Sequence, residues 1–181
     1  MSERIERVET ERLTLRPIAV DDVDLLVELD ADPVVMRYIT GGAPTPRAEA
    51  EGIVRRSLGH RWIASDRSGA FVGWFGLRLS DDRGRERELG YRLRRAEWGK
   101  GLATEGSRAL IDAAFTHLDT ERVWAETMAV NTASRRVMER CGLRYVRTFH
   151  LEWDDPIAGT EHGEVEYELR AADWKRDAAG S

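Results

Sequence analysis

The sequence is poor in cysteine, in lysine and in long apolar runs, and each scarcity excludes a class of protein. Its single cysteine, Cys141, rules out an internal disulfide framework and a zinc site built from several cysteines. The longest uncharged apolar runs, such as residues 18–20, fall far short of a membrane span. No stretch at the start resembles a secretory signal, so we expect a cytoplasmic protein.

Other absences narrow the ligands. The four histidines show neither HExxH nor His-x-His spacing, so no metal is expected. A net charge of −5 gives no general attraction to nucleic acid or to acidic membranes. The 181 residues, 41% hydrophobic and 34% charged, fit one globular domain. We expect that domain at residues 9–174, between polar tails at 1–8 and 175–181.

The first third of the chain alternates between strand and helix patterns. Apolar residues at every second position predict a half-buried strand over 10–17, near a sheet edge. A helix through Leu29 is expected to be capped by Asp21 or Asp22. A short helix is predicted after Asp32 and Pro33, and an Arg/Glu-rich helix from position 45 or 46 to about 58.

The rest of the chain predicts a β-meander followed by alternating helices and strands. The meander has strands at 61–65, 71–79 and 86–93, with turns at 67–69 and 81–84. After it come helix 102–118, strand 122–129, helix 132–140, strand 143–152 and strand 163–170. This order implies a mixed sheet with helices on both faces, in an α+β fold or an α/β fold with a mixed sheet.

The strongest local signal is the glycine-rich turn Trp98-Gly99-Lys100-Gly101 before the predicted helix 102–118. Glycines there let the backbone approach a ligand closely, and the free amides of the helix start favour a phosphate. The turn holds one of only two lysines, which favours an anion site over a plain turn. Walker A and dinucleotide spacings fail, because no Ser or Thr follows Lys100 and Thr104 stands at the third glycine position.

These residues and three further segments resemble the GNAT superfamily of acyl-CoA N-acyltransferases. The turn is similar to its Q/R-x-x-G-x-G/A pyrophosphate loop, with Trp98, Gly101 and Ala103 at the three defined positions. The other segments are Thr10-Glu11-Arg12-Leu13-x-Leu15-Arg16-Pro17, Glu88-Leu89-Gly90-Tyr91, and Asn131-x-x-Ser134 with Gly142-Leu143. In this form they resemble the branch of ribosomal-protein N-terminal acetyltransferases, over residues 10 to about 146.

The resemblance implies a single-domain, mostly antiparallel sheet whose two central parallel strands splay apart near Leu93 and Met128. Acetyl-CoA, as co-substrate, would insert there and pair with the strand edge between Gly90 and Leu93. Asn131 would contact its pantetheine arm, or would serve only as a helix cap. The pyrophosphate would rest on Trp98, Gly99, Lys100, Gly101, Leu102, Ala103 and Thr104.

Acyl transfer to an amine requires a base, because an amine with a lysine-like pKa is mostly protonated at neutral pH. The candidate base is Glu88, which is otherwise an ordinary solvated carboxylate, and its rival is Glu126 on the neighbouring strand. Ser134 is the candidate acid or hydrogen-bond donor to the thiolate; alternatively it only supports the helix start. Met138 stands where the superfamily often has a tyrosine.

The leading prediction is a metal-free N-acetyltransferase that moves acetyl from acetyl-CoA to a primary amine by direct attack in a ternary complex. The amine would belong to a protein N-terminus or a small molecule, and Trp153 with the 153–162 loop would line its pocket. Neither nucleic acid nor a membrane is an expected partner, whereas homodimers are common among similar proteins. The alternatives are an acyl-CoA-binding module without turnover, and a Rossmann-like reductase that uses the same turn.

Overall fold

The computed structural model describes residues 5–80 and 85–174, which are organised around one eight-stranded sheet. The sheet order is β1-β2-β3-β4-β5-β6-β8-β7, and only β5 and β6 run parallel to each other. The strands are β1 (Val8–Glu9), β2 (Leu13–Pro17), β3 (Arg61–Asp66), β4 (Phe71–Leu79), β5 (Glu86–Leu93), β6 (Arg122–Met128), β7 (Arg144–Phe149) and β8 (Glu164–Arg170). The predicted mixed, mostly antiparallel sheet is confirmed.

Helices cover both faces of the sheet, as predicted. They are α1 (Val23–Asp30), α2 (Arg47–Ser57), α3 (Leu102–His117) and α4 (Thr132–Arg140), with residues 171–174 also helical. The buried Leu26 of α1 and Val54 of α2 pack with Trp74 in one apolar cluster. The larger cluster, on the opposite face, joins Leu110 of α3 to Phe75.

Side-chain alternation along β5 defines the two faces at the centre of the sheet. Leu89, Tyr91 and Leu93 pack into the cluster under α3. The intervening residues, which include Gly90, therefore point to the side covered by α1 and α2, which we call the α1 face. Arg92 confirms this direction, because its Nη1 donates to Asp30 at the end of α1 at 2.6 Å.

Two helix predictions are wrong. Residues 33–42 form consecutive turns rather than a helix, and the carbonyl of Met36 accepts from the amides of Ile39, Thr40 and Gly42. The left-handed glycines at 41 and 42, with φ of +72° and +102°, prevent a helix from continuing there. Asp22 precedes α1, but its carboxylate accepts from the Ala19 amide at 2.7 Å and from Arg16 instead of capping that helix.

The described fold begins before residue 9. The side chain of Ile5 is buried in the larger cluster, and its carbonyl accepts a hydrogen bond of 3.3 Å from Trp62 Nε1. Residues 5–8 therefore pack on the sheet rather than forming a frayed tail. The turn expected at 81–84 and the tail at 175–181 lie outside the described residues. Among the described helices, none has the length and apolar character that crossing a membrane requires.

Candidate functional site

A wedge-shaped gap opens between the two parallel strands at the centre of the sheet. β5 and β6 pair only from Glu86 with Arg122 to Glu88 with Trp124. Beyond these pairs, β5 keeps its antiparallel partner β4 as far as Leu93, while its other edge has no strand against it. The predicted splay is confirmed. A free strand edge can pair with an extended ligand that carries amides.

The start of α3 presents backbone amides next to the end of β5. Gly99 and Gly101 have φ of +73° and +79°, a conformation that favours glycine. The Glu105 amide makes the first bond of the helix, to the Gly101 carbonyl at 3.0 Å. The amides of Leu102, Ala103 and Thr104 thus precede the first helical hydrogen bond, and they suit a phosphate together with the helix dipole.

A clamp from β2 holds this turn in place. Glu105 Oε1 accepts from Thr10 Oγ1 at 2.6 Å and from the Arg12 amide at 2.8 Å, while Oε2 accepts from Arg12 Nε at 2.6 Å. Arg12 also donates to the Lys100 carbonyl at 2.8 Å. Burial alone raises the pKa of Glu105, but these hydrogen bonds outweigh it and lower the pKa below its usual value.

Two side chains of the turn point to protein partners. The indole of Trp98 donates to the Leu93 carbonyl at 2.9 Å, which ties the turn to the end of β5. Lys100 Nζ forms an ion pair with Glu97 at 3.0 Å and is half exposed. The turn therefore offers mainly backbone groups to a phosphate, with the charge of Lys100 held beside it by Glu97.

Asn131 caps α4, which follows β6 on the far side of the gap. Its Oδ1 accepts from the Ser134 amide at 3.2 Å, and its Nδ2 donates to Thr127 Oγ1 at 3.1 Å. The capping interpretation of Asn131 is confirmed. The Ser134 hydroxyl lies 2.9 Å from the Tyr91 hydroxyl, which also donates to the Ser134 carbonyl at 3.0 Å. Tyr91 of β5 thus reaches α4 across the gap.

The two candidate bases differ in their surroundings. Glu88 is hydrogen-bonded and ion-paired to Arg78 of β4, so its charge is neutralised by a neighbour. Glu126 lies two residues past the last β5–β6 pair, is exposed, and has no hydrogen bond or ion pair among the described residues. Partial desolvation and the charges of Glu88 and Glu166 raise the pKa of Glu126.

A second uncompensated carboxyl lies beside Glu126. Glu166, opposite Glu126 in the β6–β8 register, is paired with Arg122 at 2.5 Å and with Arg147 at 2.8 Å. Glu164 is 6% exposed, and its Oε1 has no hydrogen-bond partner among the described residues. Burial and the charge of Glu126 raise its pKa. The α1 face beside the gap therefore carries two carboxyls that form no ion pair with a described residue, although the charges of Arg78 and Arg147 act on Glu126.

The loop between β7 and β8 covers this end of the α1 face. Gly159 packs against the end of β6, where an added Cβ would lie 2.6 Å from Val130 Cγ2. Two residues earlier, Ile157 touches Gly41 in the turns after α1, since a Cβ at Gly41 would lie 3.0 Å from Ile157 Cγ2. The loop therefore bridges two sides of the face.

Cys141 is a buried free thiol at the end of α4. Its Sγ donates to the Thr104 carbonyl at 3.7 Å, and burial raises its pKa to about 12. A thiol with this pKa is a poor nucleophile at neutral pH. The structure assigns Cys141 to the packing between α3 and α4, as the sequence predicted.

The gap with phosphate-binding amides at one side is the arrangement of an acyl-CoA-dependent acyltransferase. The family model "Acetyltransferase (GNAT) domain" matches residues 12–144 of this chain. The chain belongs to the GNAT acetyltransferase family. It is an acyltransferase, so neither the reductase nor the module without turnover describes it.

Relatives support this assignment. The chain is 34% identical over 187 residues to the FsC-acetyl coenzyme A-N(2)-transacetylase of Aspergillus fumigatus, across 92% of this chain and 77% of the relative. Its fold resembles RimL, a ribosomal L7/L12 α-N-protein acetyltransferase solved with coenzyme A, with a TM-score of 0.79, 16% identity and coverage of 93% and 99%. Spermidine N-acetyltransferase from Vibrio cholerae, solved with CoA and spermine, has a TM-score of 0.79 at 18% identity, with coverage of 92% and 99%.

The sequence did not predict the contacts of several residues of the site. Arg12 belongs to one of the segments that resemble the GNAT superfamily. No local pattern in the sequence shows that its guanidinium donates to the Lys100 carbonyl, 88 residues away. The Tyr91 hydroxyl reaches Ser134 across 43 residues of sequence, a contact that only the fold creates. Glu164 fell within the predicted strand 163–170 and was given no role in the site. In the structure, Glu164 is one of the buried residues at the start of β8, and a glutamate at a buried strand position is unusual.

Proposed function

We propose that this protein transfers the acetyl group of acetyl-CoA to a primary amine by direct attack in a ternary complex. The observation that carries the proposal is the gap between β5 and β6, which connects the two faces of the sheet. Backbone amides of α3 border one side of it, and the exposed carboxylate of Glu126 borders the other. Donor and acceptor can therefore approach each other through the sheet.

Acetyl-CoA binds mainly to backbone groups in this proposal. Its pyrophosphate lies against the amides from Gly99 to Thr104, and its pantetheine amides pair with the open edge of β5 as far as Leu93. Asn131 contacts the pantetheine arm from the start of α4. A Cβ at Gly99 would meet no atom within 4 Å, so the turn leaves open space for a phosphate.

We assign the general base to Glu126 rather than to Glu88. A catalytic base works best when its pKa is close to the working pH, and the pKa of Glu126 is shifted in that direction. Glu88 is engaged by Arg78 and acts here through its charge, which helps to raise the pKa of Glu126. The amine loses its proton to Glu126 and attacks the thioester carbonyl. Of the two candidate donors for the oxyanion, Gly90 and Tyr91, we favour the Tyr91 amide, because the Gly90 amide faces β4.

The leaving thiolate requires only a hydrogen bond, because free CoA thiol is moderately acidic. Ser134 provides that bond in the proposal, at the start of α4 where the helix dipole favours a negative charge. Burial raises the pKa of Tyr91, so its hydroxyl stays protonated and orients Ser134. Tyr91 is thus a positioning residue that compensates for methionine at position 138.

Three glutamate-to-glutamine variants test the assignment of the base. The assay measures release of the free CoA thiol from acetyl-CoA with a panel of primary amines. Glu126→Gln should lower kcat/KM by about 10²- to 10⁴-fold, the usual contribution of a general base. Glu88→Gln should keep activity at high pH and shift the acidic limb of the profile to lower pH, because it removes a negative charge beside Glu126. Glu9→Gln, at the far edge of the sheet, is the matched control.

Two results would contradict the proposal. Unchanged kcat/KM in Glu126→Gln eliminates that residue as the base, and a large loss at every pH in Glu88→Gln assigns the role to Glu88. Thermal unfolding with acetyl-CoA tests the donor site separately, since a ligand at 100 times its Kd adds about 2.7 kcal/mol of stability. Binding of acetyl-CoA without turnover of any amine would refute acetyl transfer to a primary amine.

A further inference from the structure

The α1 face carries a cationic cluster that the proposed chemistry does not use. The guanidinium of Arg61 lies 4.0 Å from the centre of the Trp74 ring, and that of Arg92 lies 5.3 Å from it. These three residues come from β3, β4 and β5, and we call them the Trp74 cluster. Two guanidinium groups on one indole repel each other, so their proximity needs a negative charge nearby.

The protein supplies only part of that negative charge. Asp30, which is 2% exposed, pairs with Arg92 at 2.6 Å, and its other oxygen accepts from Thr45 Oγ1 at 2.7 Å. The guanidinium of Arg61 forms no ion pair or hydrogen bond with a described residue, although the side chain is only partly exposed. Burial, followed by the charge of Arg92, lowers its pKa to about 10. The cluster therefore has one positive charge in excess.

The same cluster contains two buried donors without acceptors. Trp74 is 8% exposed, and neither its Nε1 nor the Nε of Arg92 has a hydrogen-bond partner in the described part of the chain. A buried donor without an acceptor costs about 1–3 kcal/mol, so such groups are usually satisfied by water or by a ligand. Two free donors and one excess positive charge match an oxyanion with a single negative charge.

The Trp74 cluster and Glu126 lie on neighbouring parts of the α1 face. Gly90 of β5 and Glu126 of β6 each lie two residues past the last β5–β6 pair. Arg92 lies two residues beyond Gly90 on the same strand. Two residues of a strand span about 7 Å. Gly76 lies opposite Gly90 in the β4–β5 register, and the Trp74 ring lies over both glycines, since an added Cβ would lie 3.8 Å and 3.4 Å from its Cζ3.

We propose that the acceptor amine carries a carboxylate several bonds away, which the Trp74 cluster binds while the amine lies at Glu126. This inference rests on the proposed acetyl transfer and narrows its substrate class to ω-amino acids and their derivatives. Arg61 and the Nε of Arg92 donate to the carboxylate oxygens. The carboxyls of Glu126 and Glu164, which have no ion-pair partner among the described residues, attract the ammonium end, so the face orients a zwitterion across the strands from β3 to β6.

Matched acceptors that differ only in the carboxylate test the proposal. We would measure kcat/KM for 6-aminohexanoate against hexylamine, and for lysine against cadaverine. Charge-assisted hydrogen bonds correspond to a preference of about ten- to hundred-fold for the carboxylated member of each pair. In Arg61→Gln this ratio should fall close to one. Arg61→Lys should keep part of it, because lysine retains the charge but not the planar donor array.

The control is Arg55→Gln on α2, which removes an exposed arginine whose partner is Glu51 at 3.6 Å. It should leave the ratio unchanged, and thermal unfolding of every variant shows whether it folds. Equal use of both members of a pair overturns the inference, as does a preference that survives in Arg61→Gln.

A failure of the proposed function is recognisable separately, because then no amine releases CoA thiol. Calorimetric titration of the CoA-saturated protein still decides the inference in that case. Binding of 6-aminohexanoate to the wild type but not to Arg61→Gln supports the carboxylate site. Absence of binding to the wild type refutes it.

Discussion

A pair of glycine-to-alanine substitutions tests how closely α3 packs on the sheet. Gly106 lies in the second turn of α3, where the β-carbon of an alanine would lie 2.4 to 2.8 Å from three ring carbons of Phe75. Phe75 is fully buried, so its ring has no free space to enter. Gly52 in α2 is the matched control, since its nearest neighbour is the flexible end of Arg56 at 3.0 Å.

The expected magnitudes follow from two opposing effects. Replacing glycine with alanine inside a helix contributes about 0.8–1 kcal/mol of stability at either position. At Gly106 the clash with Phe75 costs about 1–3 kcal/mol, the usual effect of overpacking a core. We therefore expect Gly52→Ala to be about 1 kcal/mol more stable than the wild type, and Gly106→Ala to be about 0–2 kcal/mol less stable.

Thermal and urea unfolding measure the difference directly. Each kcal/mol corresponds to about 2–4 °C in Tm for a domain of this size, so the two variants should differ by about 2–12 °C. Acetyl-CoA affinity should fall in Gly106→Ala alone, because the start of α3 must shift. Equal stabilisation by both substitutions would refute the close approach of α3 to Phe75.

Two other glutamates give predictions with opposite pH dependence. The raised pKa of Glu164 means that its stabilising contribution is present below the ordinary carboxyl pKa and is lost as the pH rises through the raised value. Glu164→Gln should therefore be more stable than the wild type at pH 7, with an advantage that disappears on acidification, as measured by urea unfolding across pH. The lowered pKa of Glu105 reverses the sign, so its contribution is present above the ordinary pKa and is lost as the pH falls through the lowered value. Glu105→Gln should lower the free energy of unfolding by about 1–3 kcal/mol at pH 7 and weaken acetyl-CoA binding. An unchanged Kd for acetyl-CoA would show that the clamp does not hold the turn.

The sequence predicted most of the fold because its elements have strong local periodicity. Strands β4 and β5 and helix α4 have the predicted bounds. β4 is buried continuously over residues 72–77, so its apolar and aromatic composition rather than alternation identified it. The short helix predicted after Asp32 and Pro33 does not form, because that segment folds into turns around the Met36 carbonyl although Val34, Val35 and Ile39 have helical spacing. The spacing of apolar residues alone does not distinguish a short helix from consecutive turns.

Prediction of the site succeeded only in part, for a related reason. The turn before α3 was visible because its function depends on consecutive backbone groups, and glycines mark them in the sequence. The pairing of Glu88 with Arg78 was not visible, because it depends on the register between β4 and β5. Preference for Glu88 over Glu126 as the base followed from that missing register. Our assignment of the base to Glu126 is a proposal, and the glutamate-to-glutamine variants test it.

The two halves of the proposed site differ in whether they bind through backbone or through side chains. This difference has a consequence for substrate specificity. The donor half consists of amides and a strand edge, which many side chains can accompany. The acceptor half, as we propose it, depends on individual side chains from separate strands, namely Arg61, Trp74, Arg92, Glu126 and Glu164. A single substitution on the α1 face can therefore change which amine is acetylated while acetyl-CoA binding stays intact. Since the carboxylate site depends on one unpaired guanidinium, Arg61 is the position where we expect that change to be largest.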